Sequence, residues 1–491
     1  MYKLLLILKY LRTRRIAWVS LVAVTLCVAM VLVVISVMGG WLRMFRSSFH
    51  GMSGDVLVTG NSLSGFPYYQ EIIDDVKRLP EVEQAVPVIQ TFGLINIKNR
   101  LREGVAVMGI QLPEIGQVNR FADSLNLQWT SQVKLREETL GHALSAAELA
   151  KLRRELKPPS FDLLTGIPYE DLLPRAKNVR DMPGMIVGAG VVGIRKDEKG
   201  ELDRPFGLYE AWAKLTVLGV SESASFDIAN KSERNYWIVD DSRTQVWQYD
   251  ANTVYVPFGV LQSDLGMAGE TYIDKQTGED HVDPPRCTQI QIKAREGTDL
   301  AVLCGKVDTI TRGTFDRYNS AAGDMVKIET WDQNQAMWLN AIEKEKVLIT
   351  CLFSLISVVA IFLIFCIFYM IVIEKTRDIG IVKSVGATNA GVAQIFLGYG
   401  LTIGLVGAGA GLGIGYLIVH NINQLHTWMG RAMGIQIWSP EVYAFDTIPN
   451  TMNPNEVAVI LGVAVISSVL GALVPAMRAA RMHPVEALRW E

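Results

Sequence analysis

Histidine and cysteine, which build most metal and nucleophilic sites, are scarce in this chain: its 491 residues include six histidines and five cysteines. The longest polar stretch holds His50, His142 and His281, which are far apart, with no H-x-x-x-H spacing and no paired cysteine nearby. A zinc site needs several such ligands at short spacings. No G-x-S-x-G nucleophile motif occurs either. The sequence therefore predicts no metal, no other cofactor and no catalytic residue.

A phosphate-binding loop for ATP is also missing from the sequence. The pattern G-x-x-x-x-G-K-S/T does not occur, and Gly305-Lys306 is followed by Val307 inside a predicted helix. Any ATP that drives this protein must then be hydrolysed by another polypeptide. The net charge is −3 and no long basic run lies away from the apolar stretches, so no nucleic-acid partner is expected.

A disulfide is an open question for two of the cysteines. Cys287 and Cys304 lie in the long polar stretch, which would be oxidising if it is outside a bacterial cell. Cys304, however, lies on the apolar face of a predicted amphipathic helix, which argues against a bridge. The other three cysteines lie in apolar stretches, where they are expected to pack as small apolar residues.

What the chain has in abundance is long apolar runs, four of which are long enough to cross a membrane. A spanning helix needs about 20 mostly apolar residues. The predicted spans are residues 16–42, 347–373, 392–419 and 457–477. We therefore predict an α-helical membrane protein with four transmembrane helices in a 1+3 arrangement and a large external mixed α/β domain, residues 43–346, inserted between the first and second helices.

The distribution of lysine and arginine predicts the orientation. Basic residues cluster before the first span, in the short segment after the second and behind the fourth, whereas the loop 420–456 contains only Arg431. Since cytoplasmic flanks carry the excess of positive charge, residues 1–15, 374–391 and 478–491 are predicted to be cytoplasmic. The first apolar run has 27 residues, longer than the 7–15 of a signal peptide, which favours an uncleaved anchor.

The sequence pattern of the external domain predicts strands and helices on both sides of a β-rich insertion. A strand at Asp55–Thr59, a helix at Tyr69–Leu79 and a strand at Gln84–Lys98 begin it. A strand at Thr288–Lys293 and a helix at Asp299–Arg312 end it. An additional segment near residues 124–182 is polar and helical, with one amphipathic helix predicted over residues 140–156 and a stop at Pro158-Pro159.

Two short patterns in the membrane half stand out. The segment Glu374–Thr388 is amphipathic and mixed in charge, and on composition alone it is a solvated loop between helices. The third span contains glycines at four-residue spacings, which let helix backbones approach closely: Gly400, Gly404, Gly407, Gly411 and Gly415. These predict a packing face, against the chain's own helices or those of a partner.

Three stretches resemble a known family. Glu374–Thr388 resembles the E-K-x-R-E-I-G-I-x-K-A-x-G-A-S stretch of FtsX-like permeases, with Asp378, Ser384 and Thr388 as departures. The N-terminal run Leu8–Gly40 is similar to LolC/LolE lipoprotein-release permeases, and Pro475–Arg489 matches the family tail. The segment near 124–182 has no counterpart in that pattern.

The resemblance implies a permease subunit of a mechanotransmission-type ABC transporter with a MacB-like external domain. It would lie in the bacterial inner membrane among its lipids, pair with a second permease chain, either a copy of itself or a sister, and bind a cytoplasmic LolD-like ATPase. The cargo would be a lipoprotein or similar amphiphile; an FtsX-type regulator of a cell-wall hydrolase and MacB-like efflux of drugs or peptides are the alternatives. The implied ATPase-coupling residues are Glu374, Lys375, Arg377, Asp378, Ile379, Gly380, Lys383, Gly386 and Ala387.

Overall fold

A computed structural model of the chain describes residues 15–97, 100–162, 182–196, 202–203, 208–209, 211–220, 226–244, 246–269, 271–273, 280–433 and 448–483. The predicted amphipathic N-terminus, the second half of the added segment, part of the loop 420–456 and the end of the tail lie outside these residues. The described chain forms two units, each compact in itself: residues 46–337 are the external unit, and residues 15–45, 338–433 and 448–483 are the membrane unit.

The helices are α1 (Arg15–Met52), α2 (Tyr69–Lys77), α3 (Ile115–Val118), α4 (Ser131–Leu140), α5 (Ala146–Glu155), α6 (Trp247–Asn252), α7 (Phe258–Asp264), α8 (Leu300–Arg317), α9 (Trp331–Asn334), α10 (Ala336–Glu374), α11 (Thr376–Ser384), α12 (Asn389–His420), α13 (Ile422–Met433) and α14 (Pro454–Arg481). The strands are β1 (Val56–Gly60), β2 (Phe66–Pro67), β3 (Val82–Ile97), β4 (Arg100–Ile110), β5 (Gly184–Gly188), β6 (Arg195–Lys196), β7 (Leu202–Asp203), β8 (Trp212–Val220), β9 (Phe226–Ser242), β10 (Thr253–Pro257), β11 (Thr271–Ile273), β12 (Asp280–Val282), β13 (Arg286–Cys287), β14 (Gln289–Ala294) and β15 (Val326–Thr330).

The membrane unit is built from the long apolar helices. Among the described residues, α1, α12 and α14 are long and apolar enough to cross a bilayer. The predicted second span, residues 347–373, lies inside α10, of which Ile364–Glu374 is an apolar stretch. That α10 also crosses the membrane, which would make four spans, stays a prediction. Side chains of all four helices share one core, including Val28, Phe368, Ile403 and Ala472.

The external unit is organised around one long strand. β3 has 16 residues, and its first half pairs with β14 while its second half pairs with β4 and β8. Because β8 pairs with β3 as well as β9, the strands β3-β4-β10-β5-β9-β8 close on themselves. The strands β15-β1-β14 extend the sheet from the other half of β3. Because the arrangement is closed, none of the six strands has a free edge over the residues that pair.

The predicted elements of the external unit are found close to their expected positions. The helix at Tyr69–Leu79 becomes α2, and the strand predicted at Thr288–Lys293 becomes β14. The helix predicted from Asp299 becomes α8, whose N-cap carboxylate accepts from the backbone N–H of Ala301 at 2.9 Å. β1 and β14, from opposite ends of the unit's sequence, are antiparallel neighbours.

Two details differ from the sequence-based expectations, and one open question, that of the disulfide, is answered. The helix predicted over residues 140–156 begins later, as α5 at Ala146, because Gly141 adopts a positive φ of 73° that ends the preceding α4 and Ser145 forms a capping box with Glu148. The charged amphipathic pattern over residues 331–346 predicts one helix that runs from the external domain into the second span, but Gln335 leaves helical geometry between α9 and α10. Cys287 and Cys304 are both free thiols, and burial raises the pKa of each.

The described half of the added segment is fixed to the sheet through a buried carboxylate. Asp240, on β9, accepts from the backbone N–H groups of Leu127 at 2.8 Å and Gln128 at 3.1 Å, both in the π-helical turn Asn126–Thr130. It also accepts from the N–H of Asp241 at 2.8 Å. Burial raises the pKa of Asp240 to about 7; the N–H of Leu127 opposes this shift and the neighbouring Asp241 adds to it.

Asp240→Asn should change the pH dependence of stability. Because the pKa of Asp240 in the folded protein lies above its ordinary value, the protonated carboxyl contributes stability that is complete below about pH 4 and is lost as pH rises through about 7. The amide of the variant does not titrate. Thermal unfolding of the detergent-solubilised chain between about pH 5 and pH 8 should show the variant gaining stability relative to wild type, by up to about 1.4 kcal/mol per pH unit. A difference that stays constant over that range would contradict the assignment.

Candidate functional site

The segment implied to contact an ATPase folds as a short helix between two long ones. α10 ends at Glu374, and Lys375 leaves helical geometry with φ −101° and ψ 9°. α11 then runs for nine residues, Thr376–Ser384. Thr388 begins α12 by accepting a hydrogen bond from the backbone N–H of Gly391 at 3.1 Å. Composition alone indicates a solvated loop here and the resemblance implies a coupling helix; the structure has a helix with a defined start and end.

One face of α11 is buried against the ends of the long helices. Ile379 is 5% exposed and lies in a cluster with Val372 of α10, Phe396 of α12 and Ala476 of α14. Thr376 is buried too, and its hydroxyl donates to the backbone carbonyl of Ile373 at 2.8 Å. Gly380 is buried beside them. This face fixes α11 to three helices of the membrane unit.

Lys383 adds a polar connection between α11 and the last long helix. Its ammonium group donates to the backbone carbonyls of Ala480 and Met482, both at 2.7 Å. The last carbonyls of a helix have no partner within the helix and carry a partial negative charge. Lys383 therefore caps the C-terminal end of α14 and holds it next to α11.

The opposite face of α11 is exposed. Arg377 lies on it, and Asp378, beside it, is ion-paired with Lys375 at 2.5 Å. Ile381 is 48% exposed and Val385 is 84% exposed. Two exposed apolar side chains four residues apart form a small patch, and exposed apolar patches mark contact surfaces.

Ile381 and Val385 were not among the residues singled out from the sequence. Both belong to the motif Glu374–Thr388. A helix with apolar residues on two faces is the sequence signal for a second contact surface. Glu374 and Ala387 flank α11, and Gly386, at φ 108°, occupies a backbone conformation that side chains disfavour.

The glycines of α12 lie directly against other helices of the same unit. An ideal Cβ placed on Gly400 would be 2.6 Å from the Cβ of Ala472, and one on Gly411 would be 2.7 Å from the Cβ of Val28. The same construction for the others reaches Ser468 from Gly404, Val24 from Gly407 and Leu32 from Gly415. The first two glycines thus face α14 and the last three face α1, with no room for a side chain at Gly400 or Gly411.

A second side-chain interaction within the membrane unit joins α10 and α14 near α11. The guanidinium of Arg478 donates to the hydroxyl of Tyr369, and its Cζ lies 4.8 Å from the centre of the tyrosine ring. Such cation–π contacts stabilise by about 0.5–1 kcal/mol at exposed sites. The ends of α10, α11 and α14 are therefore linked by both polar and apolar contacts.

The membrane half of the chain has the features of a defined class of permease. Residues 350–484 match the family model of the FtsX-like permease C-terminal domain. This range includes most of α10 and all of α11, α12, α13 and α14. Residues 350–484 are an FtsX-like permease C-terminal domain.

Similarity to individual proteins extends over more of the chain. It is 23% identical to the lipoprotein-releasing system transmembrane protein LolC of Neisseria meningitidis serogroup B, over 99% of this chain and 98% of that one. It is 30% identical to LolC of Xylella fastidiosa strain 9a5c and 28% identical to LolE of Haemophilus influenzae, each over 33% of this chain and about two fifths of the relative. These similarities support an ABC transporter permease of the LolC/LolE type.

A solved structure also matches the chain in part. It is the periplasmic region of MacB from Actinobacillus actinomycetemcomitans, with a TM-score of 0.27 and 8% sequence identity over 59% of this chain and 95% of that one. At this level the match supports no argument about the present chain.

Gly411→Ala should destabilise the membrane unit, because its new methyl group would meet Val28 at 2.7 Å. Overpacking of this kind costs about 1–3 kcal/mol. Gly413→Ala in the same helix is the matched control, since no atom lies within 4 Å of a Cβ there. Thermal unfolding in detergent should show a loss for the first variant and none for the second. Equal melting temperatures would contradict the close contact between α1 and α12 at Gly411.

Lys383→Met should separate the ends of α11 and α14. Removing the ammonium leaves the carbonyls of Ala480 and Met482 without their charged donor, which should cost about 1.5–3 kcal/mol. Arg377→Met, which removes an exposed cation from the same helix, is the control and should leave stability unchanged. The measurement is thermal unfolding of both variants in detergent, and an equal response of the two would contradict the capping role.

Proposed function

We propose that this chain is the permease subunit of an ABC transporter in which a separate cytoplasmic ATPase drives the release of lipoproteins from the outer leaflet of the bacterial inner membrane. The observation that carries the proposal is α11. It is a short helix fixed by one face to the membrane unit and exposed, with apolar residues, on the other. A helix of this kind can be displaced by a soluble partner that binds its exposed face.

The anchoring of α11 supports a mechanical role. Ile379 and Lys383 connect it to α10, α12 and α14, so a displacement of α11 cannot leave these helix ends where they are. Packed interfaces shift between discrete arrangements rather than deforming continuously. ATP-driven movement of a partner bound to Arg377, Ile381 and Val385 would thus be passed to three helices together.

Motion must then reach the external unit. The sequence boundaries between the units fall inside α1 and two residues into α10. We propose that these two helices carry the movement outward, with a bend at Gln335, where α9 and α10 are separated. The glycine contacts of α12 with α1 would include α1 in the same movement. A second permease chain, a copy or a sister, would complete the transporter.

The proposed cargo is a lipid-anchored protein. A cavity of about 340 Å³ lies between α1, α10 and α14 inside the membrane unit. Its walls are mostly apolar, with the hydroxyls of Ser354, Ser467 and Ser468 among them. Such a lining suits an acyl chain whose polar end requires a few hydrogen-bonding groups. The similarity to proteins named for lipoprotein release supports the same cargo.

The exposed face of α11 can be tested by Arg377→Ala combined with Val385→Asp. The first change removes a charged donor and the second places a charge in the apolar patch, so we expect ATPase co-purification to fall at least tenfold. Membrane insertion should not change, because neither side chain is buried. Arg431→Ala, an exposed cation on α13, is the control. Normal ATPase binding by the double variant would reject α11 as the contact.

The partners should be identified first, by mass spectrometry of what co-purifies with the tagged chain from its native membrane. An ABC ATPase together with lipid-modified proteins supports the proposal. An ATPase together with a cell-wall hydrolase would replace release by regulation of that hydrolase. Absence of any ATPase would reject both.

A further inference from the structure

The added segment contributes to a polar cavity at the end of α1. The cavity has a volume of about 340 Å³, and its walls come from Ser47, His50 and Gly51 of α1, the loop around Gly116 to Asp123, and Arg153 of α5. The whole cavity lies within the external unit. Neither the predicted coupling residues nor the proposed cargo cavity is part of it.

The cavity carries an excess of positive charge. Arg120, Arg153 and Lys293 line it together with a single acid, Asp123. Asp123 pairs with Arg153, and Lys293 pairs with Asp55 at 3.1 Å. Arg120 forms no ion pair with any residue that the structure describes. One uncompensated guanidinium therefore remains at the cavity.

Arg120 is held in place by its backbone and stem. Its N–H donates to the carbonyl of Gly51 at 2.7 Å, and its Cδ lies 3.6 Å from the position a Cβ would take on Gly51. The stem thus lies over the end of α1 while the exposed guanidinium faces the cavity. A positioned arginine of this kind can bind an oxyanion through two parallel N–H groups.

The second arginine is also oriented. The guanidinium of Arg153 lies 4.6 Å from the ring centre of Trp129 and is paired with Asp123. Partial burial, and then the positive charge of Arg120, lowers its pKa. Two guanidinium groups thus repel each other across one cavity, and an anion between them would relieve that repulsion.

The position along α1 indicates where the anion comes from. Ser47 follows the predicted end of the first span, Leu42, by five residues, or roughly 8 Å of helix. The headgroup layer on each side of the hydrocarbon core is about 5–8 Å thick. Trp129 and the exposed Arg154 and Lys157, which line the neighbouring cavity, are residue types typical of this layer.

We propose that Arg120 and Arg153 form a site for the phosphate group of an anionic phospholipid headgroup, built by the added segment against the end of α1. Arg120 binds the phosphate, Arg153 supports it from the opposite wall, and Ser47 offers a hydroxyl to the polar part of the headgroup. The site would fix this part of the external unit to the lipid surface.

The test is a binding titration of the full chain in a neutral detergent with dihexanoyl phosphatidylglycerol. Wild type should bind this lipid about tenfold more tightly than dihexanoyl phosphatidylcholine. Arg120→Gln should weaken binding of phosphatidylglycerol by about tenfold, the value expected for one lost hydrogen bond to a charged group. Because Arg120 is exposed and its stabilising contacts are made by backbone and stem, the variant should fold normally.

Lys77→Gln is the matched control, since it removes one exposed positive charge from α2 of the same unit and should leave binding unchanged. Unchanged affinity in Arg120→Gln, or an equal loss in Lys77→Gln, would overturn the site. Inorganic phosphate that binds as tightly as the lipid, with the same loss in Arg120→Gln, would overturn the phospholipid as its source.

Discussion

The membrane unit depends on how closely α12 approaches its neighbours. A lipid bilayer supplies little hydrophobic force between helices, so association rests on van der Waals contact and on backbones that come close enough to make it. Gly400 and Gly411 provide this on two sides of one helix, toward α14 and toward α1. Gly409 and Gly413, on the same helix, have no atom within 4 Å of a Cβ position, so close packing on α12 is confined to particular glycines and is not a property of the four-residue spacing itself.

The anchoring of α11 follows from that packing. The cluster around Ile379 exists because the ends of α10, α12 and α14 come together, and Lys383 can reach two carbonyls of the last helix only in that arrangement. A short amphipathic segment of nine residues would be marginal as an isolated helix. Here tertiary contacts stabilise it, so the local helix depends on the global packing.

Much of this was predictable from the sequence, for identifiable reasons. Long apolar runs and period-two alternation report burial directly, and α12, α2 and β14 were found where those signals placed them. The boundary between α4 and α5 was misplaced because Gly141 and Ser145 act through backbone conformation and capping, which the apolar pattern does not reflect. The closure of six strands through the β3–β8 pairing also lies beyond sequence patterns, since it depends on which distant strands meet.

The residues of one motif divide between two physical tasks, and the sequence alone could not separate them. Lys383 and Arg377 are both cations of α11. The ammonium of Lys383 donates to two backbone carbonyls at the end of α14, whereas the side chain of Arg377 is exposed. Ile379 and Ile381 divide in the same way, one buried and one half exposed. Each face of α11 thus carries a polar and an apolar group, one face buried and the other exposed. This division explains why the motif is mixed in character and why its composition alone resembles a solvated loop.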